Sequence, residues 1–103
     1  MNSNNSILSV SIVIPVYNEA NNIKKTLYKI KQNVSVTYET IVVYDFDEDN
    51  TLPVLRGMNN IYDNLHIVKN KIAPGPSGAL RTGFDEAKSA RVLVIMADLC
   101  DDF

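Results

Sequence analysis

Short apolar runs alternate along this chain with amphipathic stretches. Val10-Ser11-Ile12-Val13-Ile14-Pro15-Val16, Glu39-Thr40-Ile41-Val42-Val43-Tyr44 and Leu65-His66-Ile67-Val68 are rich in β-branched residues and read as strands. Pro15 cannot donate to a sheet ladder, so the first strand should end near it. Val92-Leu93-Val94-Ile95-Met96 is an unbroken apolar run, the pattern of a strand buried on both faces of a parallel sheet. Between the strands the period changes. Ala20, Ile23, Leu27, Ile30 and Val34 recur at helical spacing, and Asn18 is placed to cap a helix beginning at Glu19. Thr51 is placed to cap a second helix, since Pro53 suits a first turn, with Leu52, Leu55 and Met58 inward. Pro74-Gly75-Pro76 marks a loop, and a third helix follows from Ser77 to Ser89 with Ala79, Leu80, Phe84 and Ala87 inward.

The order β-α-β-α-β-α-β predicts an α/β fold: a Rossmann-like open parallel sheet with helices on both faces and right-handed crossovers. The expected strand order is 3-2-1-4, with a switch point between the first and fourth strands. Residues 1–8 read as a loose tail and 9–103 as one domain, without repeat, linker or low-complexity segment. A domain of 103 residues buries roughly two-thirds of its unfolded surface, enough for a core. The same order leaves Val92 to Met96 at a sheet edge. An apolar edge strand recruits another chain, so self-association through residues 92–96 is expected, as an antiparallel pair about a two-fold axis.

Composition narrows the function. The chain is 46% apolar and 21% charged, which is globular. Its net charge of −2 offers no basic field for nucleic acid. Lys24, Lys25, Lys29 and Lys31 read as a solvated helix face. The single Cys100 excludes an internal disulfide and a Cys-only zinc site, and the single His66, read as a polar residue in a strand, excludes a two-histidine site within one chain. No run approaches the ~18 apolar residues of a membrane span. Met1 to Ser6 lack the basic and apolar regions of a signal peptide, so a cytoplasmic, soluble chain is the expectation.

The chemistry-bearing loops share one edge. Pro15 to Glu19, Asp45 to Asn50, Pro74 to Gly78 and the tail Ala97 to Asp102 all follow strands, where open α/β sheets bind ligands. Tyr17 can pack on a ring or merely plug the strand end. Asp45 can accept from a base or ribose, or the acidic loop is a solvated turn whose charges favour the next helix N-terminus. Gly75 and Gly78 let backbone approach a phosphate, or only shape the turn. Arg81 can reach the same anion, or pair with Asp85 one turn on. Asp98 is a hard oxygen ligand for Mg²⁺ or Mn²⁺ carrying phosphates, or simply ends a strand. Two familiar motifs fail. Asp45-x-Asp47-x-Asp49 imitates an EF-hand, but Asn50 replaces the turn glycine and Arg56 the bidentate glutamate. Gly75-x-x-Gly78 has neither dinucleotide nor P-loop spacing.

Ser11-Ile12-Val13-Ile14-Pro15-Val16-Tyr17-Asn18-Glu19, Ile41 to Asp45 through Asp49-Asn50-Thr51, Gly78 to Ala87, and Val94-Ile95-Met96-Ala97-Asp98-Leu99 occur in the order of a known family. The chain resembles the family 2 glycosyltransferases of GT-A fold, and most of all the dolichyl-phosphate mannosyltransferase and bactoprenol glucosyltransferase branch. The resemblance implies the donor-binding half of such an enzyme. Pro15, Tyr17, Glu19 and Asp45 would hold the nucleoside of a UDP- or GDP-linked sugar. Asp98 would be the second acid of the Asp-x-Asp motif that holds a divalent metal, Mg²⁺ or Mn²⁺, on the diphosphate, with the sugar passing to an acceptor such as a polyprenyl phosphate. Three departures stand out. Met96 replaces the first acid of that motif, and a thioether suits Mg²⁺ or Mn²⁺ poorly. Tyr44 replaces the first of two adjacent aspartates, and Asn50 a usual glycine. The acceptor half and general base of the family lie beyond Phe103, so no catalytic residue is assigned and no turnover is expected of this chain alone. The rival expectations are a degenerate nucleotide-binding or regulatory module, supported by Met96, and a structural or assembly domain without ligand.

Overall fold

The structure, a computed structural model, describes residues 8–58 and 60–98. Residues 1–7 of the expected tail over 1–8, together with Asn59 and residues 99–103, lie outside the described residues. The elements are β1 (Val10–Pro15), α1 (Ile23–Asn33), β2 (Tyr38–Tyr44), α2 (Thr51–Arg56), β3 (Leu65–Lys69), α3 (Pro76–Glu86) and β4 (Val92–Val94). All strand pairs are parallel, in the order β3-β2-β1-β4. Val13 lies opposite Ile41 on one side and Val94 on the other, and Val42 lies opposite Ile67.

The strand period of two sorts side chains between the faces. Ile12, Ile14 and Val16 pack with Val42 against Ile23, Leu27 and Ile30 of α1 and Leu55 of α2. Val13, Ile41 and Val43 pack on the opposite face against Ala79 of α3. Both central strands are therefore buried on two faces, and each fully buried Ile or Leu contributes ~1.5–3 kcal/mol. The buried face of α1 is Ile23, Thr26, Leu27 and Ile30, the helical spacing read from the sequence.

Four helix boundaries differ from expectation. Helix α1 begins at Ile23 rather than Glu19, because Asn18 is not its cap. Asn18 sits at φ 51, donates its backbone N–H to Asp49 Oδ2 and accepts from the Asn50 N–H. Thr51 is the first residue of α2 rather than its cap, and Asp49 Oδ1 accepts its N–H at 2.7 Å. Helix α3 starts at Pro76 and stops at Glu86, short of Ser89. The Lys88 N–H donates to Glu39 Oε2 and the Ser89 N–H to Ser11 Oγ, so buried side chains of β1 and β2 draw the chain out of the helix. Phe84, expected inward, is 47% exposed. Gly83 takes the contact instead: a Cβ there would lie 2.4 Å from Val13 Cγ1, so the helix meets β1 along its glycine.

The fourth strand departs most. Ladder pairing covers Val92–Val94, with the Ile95 N–H still donating to Val13 O. Val92, Leu93 and Val94 are 39%, 45% and 38% exposed, not buried on both faces. β4 is an edge strand, and among the described residues no strand lies beyond it.

Candidate functional site

Pro15 ends β1 at the carboxyl edge, and the chain turns through Val16 and Tyr17 to Glu19. This turn is fastened to the acidic loop after β2. The Asn18 N–H donates to Asp49, the Glu19 N–H to Thr51 Oγ1 at 2.8 Å and the Ala20 N–H to Asn50 Oδ1 at 3.0 Å. Asp49 is 1% exposed, so part of the acidic loop is an internal clasp rather than a solvated turn. Asp47 and Glu48 do face solvent. Asp47 lies 3.0 Å from Lys69 Nζ, and that hydrogen bond holds the Lys69 ammonium above its ordinary pKa. Tyr17 lies against Phe46 with ring centroids 5.4 Å apart and planes tilted by 54°, leaving Tyr17 68% exposed.

Asp45 is held differently. Its Oδ1 accepts from Asn70 Nδ2 at 2.8 Å, and its Oδ2 accepts from the Gly75 N–H at 2.9 Å. Gly75 sits at φ 108, a backbone that glycine adopts without strain, and it precedes α3. The last segment runs beside Thr26 of α1, whose single hydroxyl hydrogen is shared between Asn22 O at 2.9 Å and Ala97 O at 3.3 Å. Ala97 is buried and the following Asp98 is exposed.

These loops enclose a hollow of about 530 Å³. Pro15, Tyr17 and Glu19 line it from the first loop, Asp45 from the second, Pro74, Gly75 and Pro76 from the third, and Met96 and Asp98 from the last. Five of the expected site residues, Pro15, Tyr17, Glu19, Asp45 and Asp98, thus share one cavity. Gly78 and Arg81 are not among its walls. Gly78 is buried against the loop that precedes it, where a Cβ would lie 2.0 Å from Ala73 O, so it serves close packing of backbone on helix. Arg81 is exposed on α3, one turn beyond the helix start. No Gly78 or Arg81 contact with an anion follows from this arrangement.

The donor set decides what the hollow can hold. Carboxylates from Glu19, Asp45 and Asp98, the Gly75 loop and an exposed aromatic ring suit a polar ring system and its hydroxyls. For a metal the fit is partial. Among the described residues no group of three or more His, Cys, Asp or Glu side chains forms a cation cage. Asp98 has the thioether of Met96 as its neighbour two residues back, a poor partner for a hard cation, so among the described residues Asp98 is the one acid of this last segment at the hollow.

A second hollow, of about 400 Å³, is lined by Glu39, His66 and Lys88. Glu39 is 1% exposed, and its carboxylate accepts from Ser11 Oγ at 2.6 Å and the Lys88 N–H at 2.7 Å, with His66 Nε2 3.4 Å away. Those partners make it a buried strut tying the α3–β4 connection to the sheet. Sequence reasoning missed Glu39, Asp49 and Asn70. Asn70 directly follows β3 at the carboxyl edge, a position that strand topology alone marks for attention.

The family model described as Glycosyl transferase family 2 matches residues 11–102. Glycosyltransferase AglE of Haloferax volcanii is 34% identical over 91 residues, covering 86% of this chain and 30% of that protein. An undecaprenyl-phosphate 4-deoxy-4-formamido-L-arabinose transferase of Proteus mirabilis is 35% identical over 105 residues, covering 96% of this chain and 32% of that one. Among solved structures, a mannosyltransferase of Pyrobaculum calidifontis in complex with GDP-Man and Mn²⁺ superposes with TM-score 0.77 at 25% identity, over 90% of this chain and 28% of its own. The chain thus spans about a third of the length of the curated relatives it matches.

Proposed function

The chain belongs to glycosyl transferase family 2 and carries part of a GT-A fold, and from that premise we propose that its carboxyl-edge hollow binds the nucleotide of a UDP- or GDP-linked sugar. One observation carries the reading: Pro15, Tyr17, Glu19, Asp45 and Asp98, from three separate loops, line one cavity. In this proposal Tyr17, exposed and braced by Phe46, stacks on the base. Asp45 keeps its hydrogen bonds to Asn70 and Gly75 and accepts from ribose or base with its remaining lone pairs. The diphosphate then lies toward Met96 and Asp98.

The relatives add two elements. The Pyrobaculum enzyme was solved with Mn²⁺ and GDP-Man, and the Proteus relative is named for an undecaprenyl-phosphate substrate. For the whole protein we therefore propose transfer of the sugar to a polyprenyl phosphate. A divalent metal would screen the charge that develops on the leaving diphosphate. Here Asp98 would supply one ligand and the nucleotide oxygens the rest, so metal affinity without nucleotide should be weak. A cytoplasmic location belongs to the same proposal, and cell fractionation tests it. Among the described residues no helix is long and apolar enough to cross a membrane.

The edge strand β4 is proposed to pair with a second copy of the chain. An antiparallel two-fold pair sets the basic start of one strand, at Arg91, toward the acidic end of the other, at Asp98.

Titration calorimetry of the chain with UDP, GDP and their sugars, with and without Mn²⁺, tests the nucleotide reading. Binding strengthened by Mn²⁺ supports the donor site. Binding indifferent to Mn²⁺ supports the second reading, a nucleotide-binding module without metal, which Met96 favours. Absence of binding overturns both. Asp45→Ala should weaken whichever nucleotide binds by ~1–3 kcal/mol.

A further inference from the structure

Asn70 has a part in neither the fold core nor the walls of the carboxyl-edge hollow, yet its side chain makes four hydrogen bonds. Its Nδ2 donates to Asp45 Oδ1 at 2.8 Å and to Ala73 O at 2.6 Å. Its Oδ1 accepts from the Ile72 N–H at 2.9 Å and from Thr82 Oγ1 at 3.1 Å. Its backbone N–H donates to Tyr44 O, which seats the residue against the end of β2. One amide group therefore joins the end of β2, the loop after β3 and helix α3. An amide has two donor hydrogens and two acceptor lone pairs, and every one is used.

The geometry has a direction. Asp45 is bound by two partners, Asn70 and the Gly75 N–H, and Asn70 also holds Ala73, two residues before Gly75. Pro74 and Pro76 flank Gly75 and have no N–H, so the Gly75 amide is the sole backbone donor from that wall between Ala73 and Ser77. Asn70 thus fixes both the carboxylate and the loop whose only N–H it receives. We infer that Asn70 is a positioning residue for the nucleotide site: it sets the Asp45 carboxylate and the Pro74–Pro76 wall in their binding arrangement before ligand arrives. The inference deepens the nucleotide reading above and rests on it.

Asparagine is suited to this and its neighbours in chemical space are not. Aspartate lacks the two donors and would place a second negative charge beside Asp45. Alanine would leave Asp45 and the Thr82 hydroxyl each short of a partner and free the loop. Preorganisation lowers the ordering cost that ligand binding must otherwise meet.

The test uses the 103-residue chain with UDP and GDP as probes, plus amide exchange by NMR. Asn70→Ala should weaken nucleotide binding about tenfold, the loss expected for one hydrogen bond to a charged group. It should also remove exchange protection of the Gly75 amide while the β1 and β2 amides keep theirs, a signature that general destabilisation does not produce. Because Asn70 acts through Asp45, N70A should cost much less in the D45A background than in the unmodified chain. Should N70A fail to fold, Thr82→Val removes a single bond to Asn70 and should show a smaller loss of the same Gly75 protection. Nucleotide binding and Gly75 exchange both unchanged in a folded N70A would overturn the inference and leave the nucleotide reading intact. No nucleotide binding by the unmodified chain would overturn that reading and this inference with it. Equal costs of N70A in the two backgrounds would show that Asn70 does not act through Asp45.

Discussion

Asp49→Ala is the substitution that best probes how the site is held. Asp49 is 1% exposed, and its two oxygens accept the N–H groups of Asn18 at 3.1 Å and Thr51 at 2.7 Å. The first bond pins the loop that carries Tyr17, and the second fastens the start of α2. Truncation leaves both donors without that acceptor. A hydrogen bond to a charged group is worth ~1.5–3 kcal/mol, and a donor left unpaired in a closed region loses most of that. Thr51 is 0% exposed, so its N–H suffers nearly the full loss. Asn18 is exposed, and water can replace part of the bond at its end. The expected destabilisation is therefore ~2–4 kcal/mol, a large share of the ~5–15 kcal/mol of a typical domain. Asp49→Asn keeps one acceptor oxygen and should cost about half as much. Asp47→Ala is the control, since that side chain is 70% exposed and its pair with Lys69 is screened by solvent, so its loss should leave stability nearly unchanged. Urea unfolding followed by far-ultraviolet circular dichroism measures all three. An unfolding free energy for D49A within ~0.5 kcal/mol of that of the unmodified chain would refute the clasp and return the acidic loop to a solvated turn.

Three further outcomes are expected. Gly83→Ala places a Cβ 2.4 Å from Val13 Cγ1 and should destabilise the chain by ~1–3 kcal/mol by overpacking, and Gly78→Ala should cost more, because its 2.0 Å neighbour is the Ala73 carbonyl rather than a side chain; thermal denaturation ranks the two. Met96→Asp should raise Mn²⁺ affinity in the presence of nucleotide by supplying a second hard ligand beside Asp98, which calorimetry reads, and no gain would mean that Met96 is not the missing acid of the metal motif. Val94→Lys should shift the chain toward monomer across a light-scattering dilution series if β4 pairs between copies, whereas an unmodified chain that stays monomeric at high concentration would remove the pairing.

Much of the fold was legible because its signals are local. The runs at Val10, Glu39 and Leu65, and the spacing of Ile23, Leu27 and Ile30, follow the geometric periods of strand and helix, which need no knowledge of neighbours. Alternation of those elements led to a parallel sheet with right-handed crossovers, and the doubly wound pattern with its switch point to the order β3-β2-β1-β4. The same topology brought Pro15, Tyr17, Glu19, Asp45 and Asp98 to one edge on paper, and they line one hollow in space. The errors lie where a residue's partner is remote in sequence. Asn18 looked like a helix cap, but its N–H and carboxamide bind the loop 31 and 32 residues away. Phe84 has the inward spacing of a core residue, yet Gly83 lets α3 approach β1 along another line.

The sequence by itself determined the class and which loops share the carboxyl edge, since periodicity, chirality and chain connectivity are enough to specify them, and it favoured the strand order that the structure has. Only the tertiary structure decided what each polar side chain does with its hydrogen bonds. Asp45 and Asp49 stand in the same acidic run and are chemically identical. One lines the hollow, held by Asn70 and Gly75, while the other is sealed between two loops. That difference is set by the donors that folding brings within about 3 Å of each carboxylate, a distance over which hydrogen bonding is effective and which the order of residues does not encode.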